Sequence, residues 1–305
     1  MKPQLECVPC LLRQAQEAIA LSAMDAASAA ESLRSVLRFM ARADWNQSPP
    51  ALVQQMHRRI RRLTGNPDPY AAVKQWLNER AAALYPEWHR RFQEAHPPFE
   101  AAVRLAIVGN LLDVGAKTQL NDDMMLAAFE EALTQPLLGS VAEFSEAIRP
   151  ARHILFLADN AGEIVFDRDL LAQLPLGNFT VAVRGAPVLN DATVADAEWA
   201  GLAEFCEIIP NGSDAPGTLL ADCSPEFRAR FAAADLVIAK GQGNYESLAG
   251  ANQEIFFLLK VKCPVLAESL GHPNGSLVLH HQRREKLMAR KVRQRQINLE
   301  GATRR

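Results

Sequence analysis

No apolar run in this sequence of 305 residues approaches the roughly 18 residues that a membrane-spanning helix requires. The first residues, Met1-Lys2-Pro3-Gln4-Leu5-Glu6, lack the apolar core of a secretion signal, so a cytoplasmic protein with no membrane partner is expected. Charge imbalance is missing too: a formal net charge of −2 supplies no global field to draw nucleic acid or an acidic surface. No Gly/Ser-rich spacer interrupts the chain, and no second Cys-x-x-Cys accompanies Cys7 and Cys10. Five cysteines, an odd number in a long chain, do not make a secreted disulfide framework. The Cys7 and Cys10 spacing suits a redox pair, packing at a helix start, or half of a zinc site completed in space by Cys206, Cys223 or Cys263. Packing or a structural site is the preferred reading, and the three scattered cysteines read as small buried hydrophobes.

What is present divides near Pro150. From Cys7 to about Leu133 the periodicity is helical, with Leu33, Val36, Leu37 and Met40 on one face and Leu52, Val53, Met56, Ile60 and Leu63 on another. Ser48 before Pro49 and Asp68 before Pro69 mark helix starts, and Pro86 is expected to break or kink the segment that carries Val73, Trp76, Leu77 and Leu84. Beyond Pro150 short apolar runs alternate with amphipathic ones: Ile154 to Ala158, Asn178 to Val183, Glu207 to Ile209, Asp235 to Ala239 and Glu254 to Leu259. Such runs, bounded by turn residues, suit strands buried on both faces of a parallel sheet. The expected fold is α/β, a doubly wound, mostly parallel, Rossmann-like sheet with an N-terminal all-helical domain. The expected boundaries are 1–150 for the helical domain, 151–281 for the α/β domain and 282–305 for a basic tail. That tail has nine Lys or Arg residues against Glu285 and Glu300. Without interleaved aromatics it reads as a solvated terminus, and a nucleic-acid partner is not expected.

Three polar turns follow three of the strands. Asp159-Asn160-Ala161-Gly162-Glu163 follows the first, Arg184 to Asp191 the second, and Lys240-Gly241-Gln242-Gly243-Asn244 the run from Asp235. Ligands of open α/β sheets collect at the carboxyl ends of strands near the topological switch point, so Asp159 and Asp191 are expected as neighbours. Two carboxylates and an amide oxygen on one spot repel unless a cation lies between them, and all-oxygen ligation favours a hard ion such as Mg²⁺ or Mn²⁺. Taken singly, each acidic turn is more simply an Asx-turn or a helix cap; the three together reverse that preference. Lys240 offers a point charge, while Gly241 and Gly243 let backbone N–H groups curl around an anion. The set describes a site for a metal-bound phosphate, and the absence of G-x-x-x-x-G-K-[ST] argues against a nucleotide triphosphatase. In the helical part, Asn110 and Asp113 share a face with Ala106 and Gly109. Spacing alone leaves them evenly balanced between a ligand-facing pair and two solvated residues at a helix end near Gly115.

Taken together, Glu6-Cys7-Val8-Pro9-Cys10, Asp68-Pro69-Tyr70, Gly109-Asn110-Leu111-Leu112-Asp113, the three polar turns and Cys223-Ser224-Pro225-Glu226-Phe227 carry a resemblance over nearly the whole chain. It resembles the family catalogued as domain of unknown function 89, the damage-control phosphatases, and its Cys-x-x-Cys start is similar to the prokaryotic branch. The resemblance implies a helical domain packed on an α/β domain. It also implies a phosphatase dependent on a divalent ion (Mg²⁺, Mn²⁺, Co²⁺ or Ni²⁺) and acting on small phosphorylated metabolites such as sugar phosphates. The family's metal ligands correspond to Asp159, Asn160 and Asp191, and its phosphate-contacting lysine to Lys240. Asn110 and Asp113 fall where the helical domain meets substrate. On this basis Asp159, Asp191, Lys240 and Glu163 are the expected catalytic residues, with Asp191 or Glu163 orienting the attacking water. Gly241 and Asn244 join Lys240, Asn110 and Asp113 around the substrate. A phosphoaspartyl route through Asp159 ranks second. The competing classes are a carboxyl methyltransferase using S-adenosylmethionine, for which Ala161-Gly162 is a poor adenosine-binding turn, and a non-catalytic metal- or metabolite-binding protein.

Overall fold

The computed structural model describes residues 1–112 and 122–285. The first part forms α1 (Cys7–Leu21), α2 (Ala26–Met40), α3 (Pro49–Thr64), α4 (Ala71–Ala95) and α5 (Pro98–Val108). A short 3-10 turn (Gly109–Leu112), α6 (Asp122–Thr134) and α7 (Val141–Ile148) follow. Local chemistry sets several of these ends. The Asp25 carboxylate accepts from the N–H groups of Ala27 and Ser28 to cap α2. Pro49 opens α3 behind Ser48, and Gly65, at φ 69°, closes it in the left-handed region. Pro86 does not end its helix: α4 runs through it. One backbone hydrogen bond is lost there, while Leu77, Ala81, Trp88 and Phe92 stay buried along the same helix. Asp113 lies outside the described residues, as does the tail beyond residue 285.

The strands are β1 (Leu137–Leu138), β2 (Ile154–Leu157), β3 (Phe179–Val183), β4 (Glu207–Pro210), β5 (Leu236–Lys240), β6 (Ile255–Lys260) and β7 (Leu277–Gln282). Interleaved with them are α8 (Glu163–Leu171), α9 (Val194–Trp199), α10 (Pro225–Ala233), α11 (Gly241–Leu248) and α12 (Pro264–Leu270). Among the described residues they make one seven-stranded sheet in the order β1-β7-β6-β5-β2-β3-β4. β2, β3, β4, β5 and β6 are mutually parallel, and β7 runs antiparallel to β6. Neither β1 nor β7 was expected from sequence. Two residues carry no periodicity, and Leu277-Val278-Leu279-His280-His281-Gln282 changes from apolar to polar halfway along.

Alternation along each strand builds two cores. Ile154, Phe156, Val181, Leu236, Ile238 and Phe256 face one side, where Leu77, Phe92, Leu105, Phe129 and Phe166 cover them. Leu155, Leu157, Val237, Ala239 and Phe257 face the other, against Phe227, Phe231, Tyr245 and Leu266. The first core runs without a break across Pro150, from Leu77 on α4 to Leu279 on β7. Phe156 is fully buried at its centre, and truncating such a residue to alanine costs about 3–5 kcal/mol. α1 and α3 instead share small clusters of their own around Met56 and Leu52.

The strand order sets the site. The chain leaves β2 toward β3 and β4, then returns to the opposite side of β2 for β5 and β6. That reversal opens a crevice at the carboxyl ends of β2 and β5. Two of the three polar turns begin there.

Candidate active site

At the end of β2 the chain turns through Asp159 to Gly162 into α8. Gly162 has φ 77°, and a Cβ there would lie 2.9 Å from the Leu77 carbonyl oxygen, so α4 passes too close for a side chain. The Gly162 N–H donates to Asn78 Oδ1 at 2.6 Å. Asn78 Nδ2 in turn donates to Asp196 at 3.0 Å, which ties the turn to the start of α9. The second acidic turn is zipped to the first through backbone: Ala192 N–H donates to the Asp159 carbonyl at 2.8 Å and Ala161 N–H to that of Asn190 at 2.9 Å. An antiparallel bridge pairs Asn160 with Asp191. Asp159, Asn160 and Asp191 are thereby brought together, all buried.

Arg184 stands between the two carboxylates. Its Nε donates to Asp191 Oδ2 at 2.6 Å, its Nη2 to Asp159 Oδ1 at 3.2 Å and its Nη1 to Asn244 Oδ1 at 3.1 Å. Part of the repulsion assigned from sequence to a metal is thus offset by a guanidinium. On its other side Asp159 Oδ2 accepts from Asn110 Nδ2 at 2.9 Å and Asn160 Nδ2 at 3.0 Å. The same two amides reach Glu163 Oε2 at 2.7 and 3.0 Å. Glu163 Oε1 accepts from Lys240 Nζ at 2.5 Å, and Lys240 also reaches Asp167 Oδ1 at 2.6 Å. Glu163, Asp167 and Lys240 are each 0 % exposed. Burial pushes the Asp167 carboxyl up to about 7 against the pull of Lys240. For Lys240 burial works downward, but the facing carboxylates of Asp167 and Glu163 outweigh it and hold the ammonium above its ordinary range.

Arg184 pairs with Asp159 and Asp191, and Lys240 with Glu163 and Asp167. Buried carboxylates gathered this closely are costly unless cations or hydrogen-bond donors offset them. The donors on offer are all oxygens, and Asn160 Oδ1 accepts no hydrogen bond among the described residues, so the chemistry fits a hard divalent ion. Among the described residues no three His, Cys, Asp or Glu side chains converge to hold a metal; the set is two carboxylates and an amide.

The other expected site residues fall as follows. Asn110 points its amide into the Asp159 and Glu163 pair rather than away from it. Lys240 is enclosed by two carboxylates instead of open to an anion, because Glu163 and Asp167 stand one turn apart on α8. Gly241 abuts Asp159, and a Cβ at Gly243 would lie 2.1 Å from the Pro216 carbonyl, so both glycines answer to close packing by the protein itself. Asn244 accepts from Arg184 and Thr218 and donates to the carbonyls of Ala158 and Lys240. Fully engaged, it ties β2 to β5. Cys7 and Cys10 make no hydrogen bond to this cluster among the described residues, and Cys263 is near both. Burial holds both thiols above their ordinary range, and Cys263 Sγ accepts from Leu266 N–H at the start of α12. Sequence reasoning missed Asp167, whose i+4 spacing from Glu163 was a usable signal. It also missed the bridging role of Arg184 and the Lys262 ammonium, which donates to the Asn110 carbonyl at 2.8 Å; neither had a signal in the sequence.

Comparison with known proteins finds relatives over most of the chain. Residues 4–278 match the family model described as the damage-control phosphatase ARMT1-like domain. A protein of Pyrococcus horikoshii named a damage-control phosphatase is 33% identical over 284 residues, which cover 91% of this chain and 97% of that protein. One of Archaeoglobus fulgidus with the same name is 34% identical over 236 residues, 74% of this chain and 80% of its own. The crystal structure of a Pyrococcus horikoshii protein of the family of unknown function 89 superimposes with a TM-score of 0.80 at 30% identity. The match covers 93% of this chain and 100% of that one. With the family model matched over residues 4–278 and a relative 33% identical over most of both chains, the chain belongs to the damage-control phosphatase ARMT1-like family.

Proposed function

We propose that this member of the phosphatase family hydrolyses small phosphorylated metabolites at the β2–β5 switch point, with a divalent metal ion held by Asp159, Asn160 and Asp191. The observation that carries the reading is the convergence of two buried carboxylates and an amide, all oxygen donors, at the carboxyl ends of the central strands. When bound, the ion supplies Lewis-acid stabilisation of charge on the phosphoryl group. Phosphoryl transfer depends chiefly on positioning and electrostatics, and both are visible in the chain's own residues.

Glu163 is read as the residue that orients the attacking water, because its Oε2 shares the Asn110 amide with Asp159 at the centre of the cluster. Lys240 holds Glu163 in orientation, rather than gripping the phosphate. The amino ends of α8 and α11 both abut the Asp159 turn, so their first N–H groups offer partial positive charge to an anion there. The five cysteines include no disulfide, which suits a reducing cytoplasmic setting. Among the described residues no helix is long and apolar enough to cross a membrane. Residues 1–150 serve as the helical side of the substrate pocket and 151–281 as the catalytic side.

A panel of phosphomonoesters assayed with and without chelator tests the reading. Chelation should abolish hydrolysis, Mg²⁺, Mn²⁺ or Co²⁺ should restore it, and Asp159→Ala should stay inactive throughout. Full activity in excess chelator would refute the metal-dependent site.

A further inference from the structure

We infer that Asp167 is a positioning residue of the phosphatase reaction: from the second turn of α8 it fixes the Lys240 ammonium and, through it, the orientation of Glu163. The inference rests on the site proposed above and extends it to a residue that makes no contact there with Asp159, Asn160 or Asp191 among the hydrogen bonds described.

The geometry is a relay with two anchored ends. Glu163 Oε2 is held by Asn110 Nδ2 at 2.7 Å and Asn160 Nδ2 at 3.0 Å, and Oε1 by Lys240 at 2.5 Å. Both oxygens of Glu163 are thus pinned, and its carboxylate plane is set only if Lys240 is itself immobile. Lys240 sits at the last position of β5 on a four-carbon stem with rotatable bonds. A single acceptor would leave its ammonium free to pivot about the Glu163 contact. Asp167 Oδ1, at 2.6 Å, is the second acceptor. It is delivered by the rigid i, i+4 spacing of α8, so the two carboxylates grip the ammonium from one helix face.

A purely structural explanation predicts a different arrangement. Replacing a buried ion pair or triad by apolar residues of similar size is often neutral or stabilising. The Asp167 side chain is 0 % exposed, and its Oδ2 is buried with no hydrogen-bond partner among the described residues. An orphaned carboxylate oxygen beside a second carboxylate is a poor device for stability. Asp167 Oδ1 instead serves to hold the ammonium, through a charge-assisted contact strengthened by the low-dielectric interior.

The experiment compares wild type, Asp167→Asn and Asp167→Leu on p-nitrophenyl phosphate and on a sugar phosphate, with Mn²⁺ supplied. The amide keeps an acceptor oxygen for Lys240, whereas leucine keeps only the volume. The expected order of kcat is wild type, then Asn, then Leu, with the Leu variant down by about thirtyfold and KM unchanged for both substrates. Denaturation midpoints should not fall in the same order, and Mn²⁺ affinity, titrated calorimetrically with the metal alone, should stay within about threefold, since the ligand set is untouched. If the Leu variant does not fold, the Asn variant alone decides, with an expected loss of at least about threefold in kcat. Folded variants with wild-type kcat overturn the inference, as does a rise in KM at constant kcat or a loss of Mn²⁺ binding. An active wild type with an inactive Asp159→Ala but an unaffected Asp167 series sinks this inference alone. A wild type that hydrolyses none of the phosphomonoesters overturns the site reading and this inference with it.

Discussion

Replacing Gly241 by alanine separates backbone strain from damage to the acidic cluster. Gly241 has φ 77°, and a Cβ built on it would lie 1.8 Å from Asp159 Oδ2 and 2.4 Å from its Cγ. Non-bonded atoms settle near 3.5 Å, so the carboxylate must recede by about 1.5 Å. It has nowhere easy to go, because Arg184, Asn110 and Asn160 hold it and it is 8 % exposed. A displacement of about 1 Å in a catalytic group is enough to lose about a hundredfold in rate. The left-handed backbone adds about 1–2 kcal/mol of destabilisation for any L side chain. Gly177 supplies the matched control: its φ is 79°, and an added Cβ would meet nothing within 4 Å. Gly177→Ala should therefore show the same loss of stability in urea with kcat unchanged, while Gly241→Ala should lose about a hundredfold in kcat on an aryl phosphate. If Gly241→Ala, folded as well as Gly177→Ala, kept kcat within about threefold of wild type, the placement of Asp159 at the centre of the chemistry would be wrong.

Lys240→Met removes the cation between two buried carboxylates. It should cost about 3–5 kcal/mol of stability and lower kcat on every phosphomonoester alike; an unchanged denaturation midpoint would contradict the ion triad. His57 is buried, and burial pulls its imidazole down to about 3 from the ordinary 6.5. Its folded form stays neutral while the unfolded form gains a proton below about 6.5. The stability it secures is present above that pH and is lost as pH falls toward the folded value. Between pH 7 and pH 5 the loss is about 2 kcal/mol, and urea melts of His57→Phe should show a correspondingly flatter acid limb; parallel limbs would refute it. The double variant Cys7→Ser, Cys10→Ser should keep kcat within about twofold, since neither thiol hydrogen-bonds to the cluster among the described residues. Loss of turnover in a well-folded double variant would show that they take part.

The strands after Pro150 were legible in sequence because burial on both faces demands apolar runs with nothing else to explain them. Ile154 to Ala158 and Asp235 to Ala239 became the central pair of the sheet. The polar turns behind them had to lie at one edge, since parallel strands place all their carboxyl ends together. The same logic left β7 unread, because its second half, His280 to Gln282, is only partly buried and so is under no pressure to be apolar. It also left open what Pro86 does, which depends on the packing of Trp88 and Phe92 rather than on the proline.

Residue types and spacing along the chain determined by themselves that Asp159, Asn160, Asp191 and Lys240 would gather at the switch point. How they partner was decided only in three dimensions. Arg184 bridges the aspartates, Asn110 turns inward from the α5 end, and Lys240 is enclosed by Glu163 and Asp167. The physical reason is range. Strand burial and turn chemistry are written in neighbouring residues, whereas the sign and direction of a buried electrostatic contact depend on which side chains from β2, β3, β5, α5 and α8 reach the same few ångströms.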